Sequence, residues 1–180
     1  MKPWQNEQGM TLMELLVCIL ILSLLVVAMG TGMDTAMKLY GEAQFETDSA
    51  MLAGILNTAL EDLLADTRNV RVDGEVVRFT SEAYGIQDGS LEIAHGMLGL
   101  LRQDSWQLLV NTGIYPHLAV SRVAVRYGPP GEILELTLLD GTRVETHRGG
   151  VFYVTYRIES KDDPARCRDV ELLVRQLDPK

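Results

Sequence analysis

At 180 residues the chain is long enough for one domain of ordinary size with an appended segment, and too short for two full domains. Its formal net charge is −9, and the run from Asp34 to Asp66 holds seven acidic residues against Lys38 alone. An acidic chain without a Lys/Arg cluster lacks the footprint that non-specific nucleic-acid binding requires, so no direct nucleic-acid binding is expected.

The stretch Met1 to Gly9 is short and polar, with Lys2 and Glu7 its charged residues. From Leu15 to Met33 the sequence LLVCILILSLLVVAMGTGM runs nineteen residues without a charge. At about 1.5 Å per residue that is roughly 28 Å of helix, enough to cross a bilayer. The Leu, Ile and Val content outweighs the insertion penalties of Ser23, Gly30 and Thr31. A secretory signal is cut after its apolar run, whereas here the candidate cleavage point, Gly9 followed by Met10, lies before it. Cutting there leaves the membrane helix on the mature chain.

The residues Gly9-Met10-Thr11-Leu12-Met13-Glu14-Leu15-Leu16-Val17 resemble the type IV prepilin motif, with Met10 where the family usually has Phe. The resemblance covers about the first 35 residues and implies several things. A prepilin peptidase cleaves between Gly9 and Met10 and N-methylates the new amine of Met10. Glu14, fifth in the mature chain, neutralises the N-terminal amine of a neighbouring subunit as helices stack in a filament. An intramembrane carboxylate is costly unless paired, and the value of such a pair lies in register. The competing reading is a Glu14 that snorkels at the membrane edge.

The same resemblance implies a structural subunit, a minor pilin or pseudopilin close in size to J-type pseudopilins and competence minor pilins, and no enzyme. Its machine is a type IV pilus, a type II secretion system or a competence apparatus for DNA uptake. Its partners are other pilin or pseudopilin subunits, a membrane platform protein, an assembly ATPase and the lipid bilayer. The chain would cross the cytoplasmic (inner) membrane once, leader inside and C-terminal domain outside, before entering an extracellular or periplasmic filament. The alternative is a membrane-anchored extracytoplasmic binding or sensor domain whose signal anchor is never cut.

Cys18 superficially suggests a lipobox, but Val17 before it is branched and the apolar run follows it. A buried, inert thiol is expected there, and no bridge to the distant Cys167.

From Asp34 to Asp66 the apolar residues recur at steps of three and four, among them Leu39, Met51, Leu52, Ile55, Leu56, Leu60, Leu63 and Leu64. The membrane helix is expected to continue through this segment, with Gly30, Gly32, Gly41 and Gly54 permitting bends, and to end at Asp66-Thr67-Arg68-Asn69. Met51 to Leu64 should pack on a sheet while 34–49 stays more exposed. The expected organisation is leader 1–9, transmembrane helix 10–33, amphipathic continuation 34–66 and a β-rich domain over 67–180.

Beyond the helix, Asp73-Gly74, Asp88-Gly89 and Asp140-Gly141 are hairpin signals. Strands are expected over 75–80, 90–94, 118–127, 132–139, 151–158 and 170–177. In the fifth, Phe152, Val154, Tyr156 and Ile158 share a face, and the other face should be wetted. The apolar phase switches within 118–127, predicting a bulge near Ser121 and Arg122. Gly128-Pro129-Pro130-Gly131 reads as a rigid turn, and Trp106 as core. The fold class is therefore α+β, a long N-terminal helix on an antiparallel sheet, which is also the pilin-like layout that the resemblance implies.

Chemistry-bearing patterns are sparse. His95, His117 and His147 are too far apart and too poorly flanked for metal-ligand spacing, and no nucleophile elbow, P-loop or dinucleotide fingerprint occurs. Neither metal nor cofactor is expected. Asp162-Asp163 falls far short of the six to eight oxygens of a calcium site and reads as a solvated turn.

Overall fold

The structure, a computed structural model, describes residues 12–102, 105–146 and 150–177; Gly9, Met10 and His147 lie outside them. One helix, α1 (Leu12–Ala65), is followed by ten strands: β1 (Thr67–Asp73), β2 (Val76–Ser81), β3 (Ile86–Ala94), β4 (Met97–Arg102), β5 (Ser105–Leu108), β6 (Leu118–Gly128), β7 (Leu134–Thr137), β8 (Arg143–Thr146), β9 (Val151–Ser160) and β10 (Cys167–Arg175). They form a five-stranded sheet in the order β1-β2-β3-β4-β5, a three-stranded sheet β10-β9-β6 and the hairpin β7-β8. Every pairing is antiparallel. The architecture is α+β, as expected, with the strands divided among three sheets. By its contacts the chain separates into two units, one up to Gln44 and one from Phe45 onward.

Helix α1 carries through Gly30, Gly32, Gly41 and Gly54 without a break. It ends one residue before Asp66-Thr67-Arg68-Asn69, for visible reasons. Thr67 Oγ1 donates to Leu64 O at 2.7 Å, Asp66 Oδ2 accepts from Ala83 N at 3.3 Å, and Asn69 takes a positive φ of 50°. The Thr67 hydroxyl satisfies a carbonyl that a continuing helix would otherwise use, and the positive φ of Asn69 turns the chain out of the helix.

In the second unit α1 buries Phe45, Ser49, Leu52, Ala53, Leu56, Leu60, Leu63 and Leu64. This corrects the expected face: packing starts at Phe45, and Met51 and Ile55 point outward. The stripe joins Val77, Phe79, Ile86, Leu91 and Leu98 from the larger sheet and Val120, Phe152, Val154, Tyr156 and Ile158 from the smaller one. Phe79 meets Phe152 edge-on at 6.3 Å, one residue from each sheet. Leu56, Leu60 and Leu64 are wholly inaccessible, each contributing about 1.5–3 kcal/mol by burial.

Two buried polar knots fix the register of helix and sheets. The Tyr156 hydroxyl donates toward Ala53 O at 3.1 Å and Asn57 Oδ1 at 2.8 Å, and burial holds it well above the usual phenol range. Gln176, from the chain just after β10, donates through Nε2 to Thr67 O at 2.9 Å and accepts from the Tyr127 hydroxyl at 2.7 Å. The end of β10 is thereby tied to the start of β1 and to β6.

The expected bulge is present: the β6–β9 register slips between Val120 and Arg122. Asp73-Gly74 and Asp140-Gly141 occupy the β1–β2 and β7–β8 connections, with Gly74 and Gly141 at positive φ. Asp88-Gly89 does not turn the chain. It lies inside β3, where Asp88 at φ 56° inserts an extra residue opposite β2. The turn that does connect β3 to β4 is His95-Gly96, both at positive φ between the paired Ala94 and Met97, as a type I′ hairpin requires.

Two further expectations are corrected. Tyr153, assigned to a wetted face, is buried because its hydroxyl reaches Glu171 Oε2 at 3.0 Å and Thr137 O at 3.4 Å beside the β7–β8 hairpin. Trp106 is half-buried, its ring lying over Gly99, where an added Cβ would meet Trp106 Cε2 at 2.5 Å. Cys18 and Cys167 are free thiols, with no bridge between them, as expected.

Leu56→Ala should destabilise the second unit by about 2–5 kcal/mol, and Tyr156→Phe by about 1–2 kcal/mol. Urea unfolding of the detergent-solubilised chain, followed by tryptophan fluorescence and circular dichroism, measures both.

Candidate functional site

The surface that distinguishes this molecule is the first part of α1. Every residue from Leu12 to Tyr40 is exposed, including the whole charge-free run from Leu15 to Met33. The helix is long and apolar enough to cross a membrane, and none of its most apolar window is covered by the rest of the chain. A soluble domain rarely leaves that much contiguous apolar surface bare. Its few polar side chains are satisfied within the helix. Ser23 Oγ donates to Leu20 O at 2.8 Å, Thr31 Oγ1 reaches Ala28 O at 3.1 Å, and Thr35 Oγ1 reaches Thr31 O at 3.0 Å. Such internal bonds lower the cost of a hydroxyl in lipid.

Glu14 sits in the first turn of α1 and is exposed. A carboxylate in the first turn of a helix is favoured by the helix dipole. The other two residues singled out in the sequence, Gly9 and Met10, lie outside the described residues.

Where α1 enters the second unit it is gripped from both sides. Arg168 Nη1, at the start of β10, approaches Glu46 Oε2 at 3.1 Å, Glu46 O at 3.4 Å and Ser49 Oγ at 3.4 Å. His117 Nε2 lies 3.0 Å from Asp48 Oδ2, within ionic range although off the line of a good N–H hydrogen bond. Lys161 then secures the loop carrying His117, its Nζ donating to Pro116 O at 2.7 Å and its N–H to His117 O at 2.9 Å. The Glu46 side chain is largely solvent-facing and that of Arg168 is partly so, and their pairing positions the helix more than it stabilises it. Sequence reasoning missed both grips. The acidic residues at 46 and 48 were the only local signal, and their partners are remote in the chain.

No cluster of three or more His, Cys, Asp or Glu suited to a metal occurs among the described residues. Asp163, one of the two carboxylates considered for calcium, is turned to its own loop: Oδ1 accepts from Ala165 N at 3.2 Å and Oδ2 pairs with Arg166 at 3.1 Å.

Residues 4–30 match the family described as the prokaryotic N-terminal methylation motif, the signature of type IV pilins and pseudopilins. No curated protein and no solved structure matches the chain. The motif stands on a long apolar helix that is followed by an antiparallel β domain, an α+β pilin-like architecture. Its apolar helix fits a single-pass membrane anchor.

On the solvent face of the smaller sheet, Arg157 Nε and Nη2 hold both oxygens of Asp169 at 2.6 and 2.8 Å. That hydrogen bonding lowers the Asp169 pKa below its ordinary value near 3.8 and outweighs the opposing effect of burial. A depressed carboxylate contributes stability that is complete above the unfolded pKa and lost as pH falls through the folded one. Thermal unfolding scanned downward from pH 5 should therefore show a wild-type loss of stability below about pH 4, with a smaller loss in Asp169→Asn.

Proposed function

We propose that the chain is a structural subunit, a minor pilin or pseudopilin, of a type IV pilus, type II secretion or competence filament. The observation that supports this most directly is the methylation motif over residues 4–30 on a helix whose apolar surface is left uncovered by its own domain. In this reading prepilin peptidase removes residues 1–9 by cutting between Gly9 and Met10 and methylates Met10. Residues 10–33 hold the subunit in the cytoplasmic membrane, 34–66 continue the helix, and 67–180 form the extracytoplasmic domain.

Assembly then exchanges one apolar environment for another: lipid around α1 is replaced by the α1 helices of neighbouring subunits. A carboxylate at Glu14 and the amine of Met10 on the next subunit form an ion pair inside that apolar bundle. Its geometry selects one axial offset, because any other offset buries two unpaired charges. The platform protein and assembly ATPase of the machine supply the extraction. The role is structural, and no catalytic group is assigned.

Intact mass and N-terminal sequencing, in cells with and without the prepilin peptidase, test the processing step. A methylated Met10 that depends on the peptidase is expected. An intact residue 1–9 segment in both strains would instead favour an uncleaved anchor carrying an extracytoplasmic binding or sensor domain. Glu14→Ala should still insert and be cleaved, yet be depleted from sheared filaments by more than about tenfold, the cost of leaving one charge of such a pair unpaired; quantitative immunoblotting of filament and membrane fractions reads the difference.

A further inference from the structure

The strands that end the sheets differ in how readily they could accept another, and β10 is the best suited of them. It pairs with β9 over nine residues, from Cys167 opposite Glu159 to Arg175 opposite Val151, without a slip. The pairing of β1 slips between Arg68 and Arg71, and β5, β7 and β8 have four residues each. The remaining end strand, β6, lies against β2, β3 and β4 of the larger sheet, and its Val120 N–H donates to Gly96 O at 2.8 Å in the β3–β4 turn. Among the described residues no strand but β9 is paired with β10.

The ladder determines which main-chain groups of β10 face outward. Ser160 N–H donates to Arg166 O at 3.0 Å and Gln176 N–H to Gly150 O at 2.8 Å, so the even-numbered residues turn their N–H and C=O toward β9. Those of Cys167, Asp169, Glu171, Leu173 and Arg175 turn to the free side, where no main-chain group of the described residues bonds to them. The row closes at Leu177, whose N–H donates to Ala65 O at 3.0 Å.

Native edges are protected by lysine, proline, bulges or free charge. Strand β10 has no lysine, proline or bulge, and most of its charges are engaged within its own domain. Arg168 reaches Glu46, and both Asp169 oxygens are held by Arg157. Glu171 Oε2 accepts from the Tyr153 hydroxyl at 3.0 Å and from Leu139 N–H at 2.9 Å. What stays uncommitted is Leu173, 44% exposed, with Leu139 near it, 52% exposed, and Arg175, which is exposed and has no ion pair among the described residues.

We propose that the free edge of β10 takes an extended segment of a neighbouring filament subunit as a further strand of the smaller sheet. The outward row supplies the main-chain bonds, and the segment carries an apolar side chain against Leu173 and an Asp or Glu facing Arg175. It is not β10 of a second copy. Two antiparallel copies of β10 would be related by a dyad normal to the sheet, and α1 lies along the inner face of that sheet from Phe45 to Leu64. The two α1 helices would then run in opposite directions, which subunits anchored alike in one membrane cannot do. The proposal rests on the filament-subunit reading and deepens it, since it supplies a contact for the β domain that is separate from helix packing.

The test places the photoreactive residue p-benzoylphenylalanine at position 139 of the full-length chain in its own cells, with position 84, exposed in the β2–β3 connection, as control. Illumination of assembled filaments should give an adduct from position 139 to another subunit, mapped by mass spectrometry to an extended segment bearing an acidic residue. Two variants then probe the edge. L173P removes an outward N–H and sets a ring in the path of the added strand, while the bonds to β9 come from even-numbered residues and persist. R175E reverses the charge at an exposed site. Each should lower the adduct yield roughly fivefold, with trypsin resistance of the β domain kept; should L173P lose that resistance, R175E alone decides. An adduct no stronger than that of position 84 overturns strand addition, as does one that maps to a helix or to β10 of a second copy. A yield unchanged in R175E or in a folded L173P overturns it too. In those cases the subunit reading survives, provided the chain is cleaved and recovered in filaments. A chain that is neither cleaved nor recovered there overturns both.

Discussion

The apolar stripe of α1 from Phe45 to Leu64 is the constraint on which the β domain depends. Neither sheet can bury its inner face alone, because the five-stranded and three-stranded sheets are each apolar on that side. The helix supplies the missing surface, with Leu56, Leu60 and Leu64 fully enclosed. Burial is non-directional, however, and a stripe of leucines tolerates sliding. The hydroxyl of Tyr156, bonded to Ala53 O and Asn57, removes that freedom at one level of the helix. Gln176 and Thr67 remove it at the helix end.

The same helix meets a different solvent along its first half. There the apolar residues surround the whole circumference rather than one face, which is the pattern of a segment made for lipid or for other helices. The hydroxyls of Ser23, Thr31 and Thr35 are turned back onto carbonyls of their own helix. Between the two regimes stand Glu46 and Asp48, engaged by Arg168 and His117. These contacts come just after Phe45, where core packing begins.

Features encoded over a few neighbouring residues were legible without coordinates. The charge-free run, the helix stop at Asp66-Thr67-Arg68-Asn69, the phase switch at Ser121-Arg122 and the inward set Phe152, Val154, Tyr156 and Ile158 all appear in the structure as read. The membrane-targeted motif was legible for the same reason. It is an order of neighbouring residues, so it can be read without a fold.

What tertiary structure decided was everything that depends on a distant partner. Strand β4, Met97–Arg102, is an apolar run closed by Arg102 that alternation cannot identify, and β1 is a polar stretch that was not expected as a strand. Both become strands because β2, β3 and β5 offer main-chain partners. Asp88-Gly89 has the residues of a turn, yet it is held within β3 as a bulge by pairing on both sides. Phe45 rather than Met51 begins the packed face because the sheets, not the helix, determine which stripe is covered. The sequence by itself determined that the chain carries an apolar segment long enough to cross a membrane, with Gly9, Met10 and Glu14 in motif order ahead of it, since hydrophobicity and motif order are local properties. Only the tertiary structure decided where the helix is gripped and which strands end each sheet, because hydrogen-bond partners and burial are set by residues far apart in the chain.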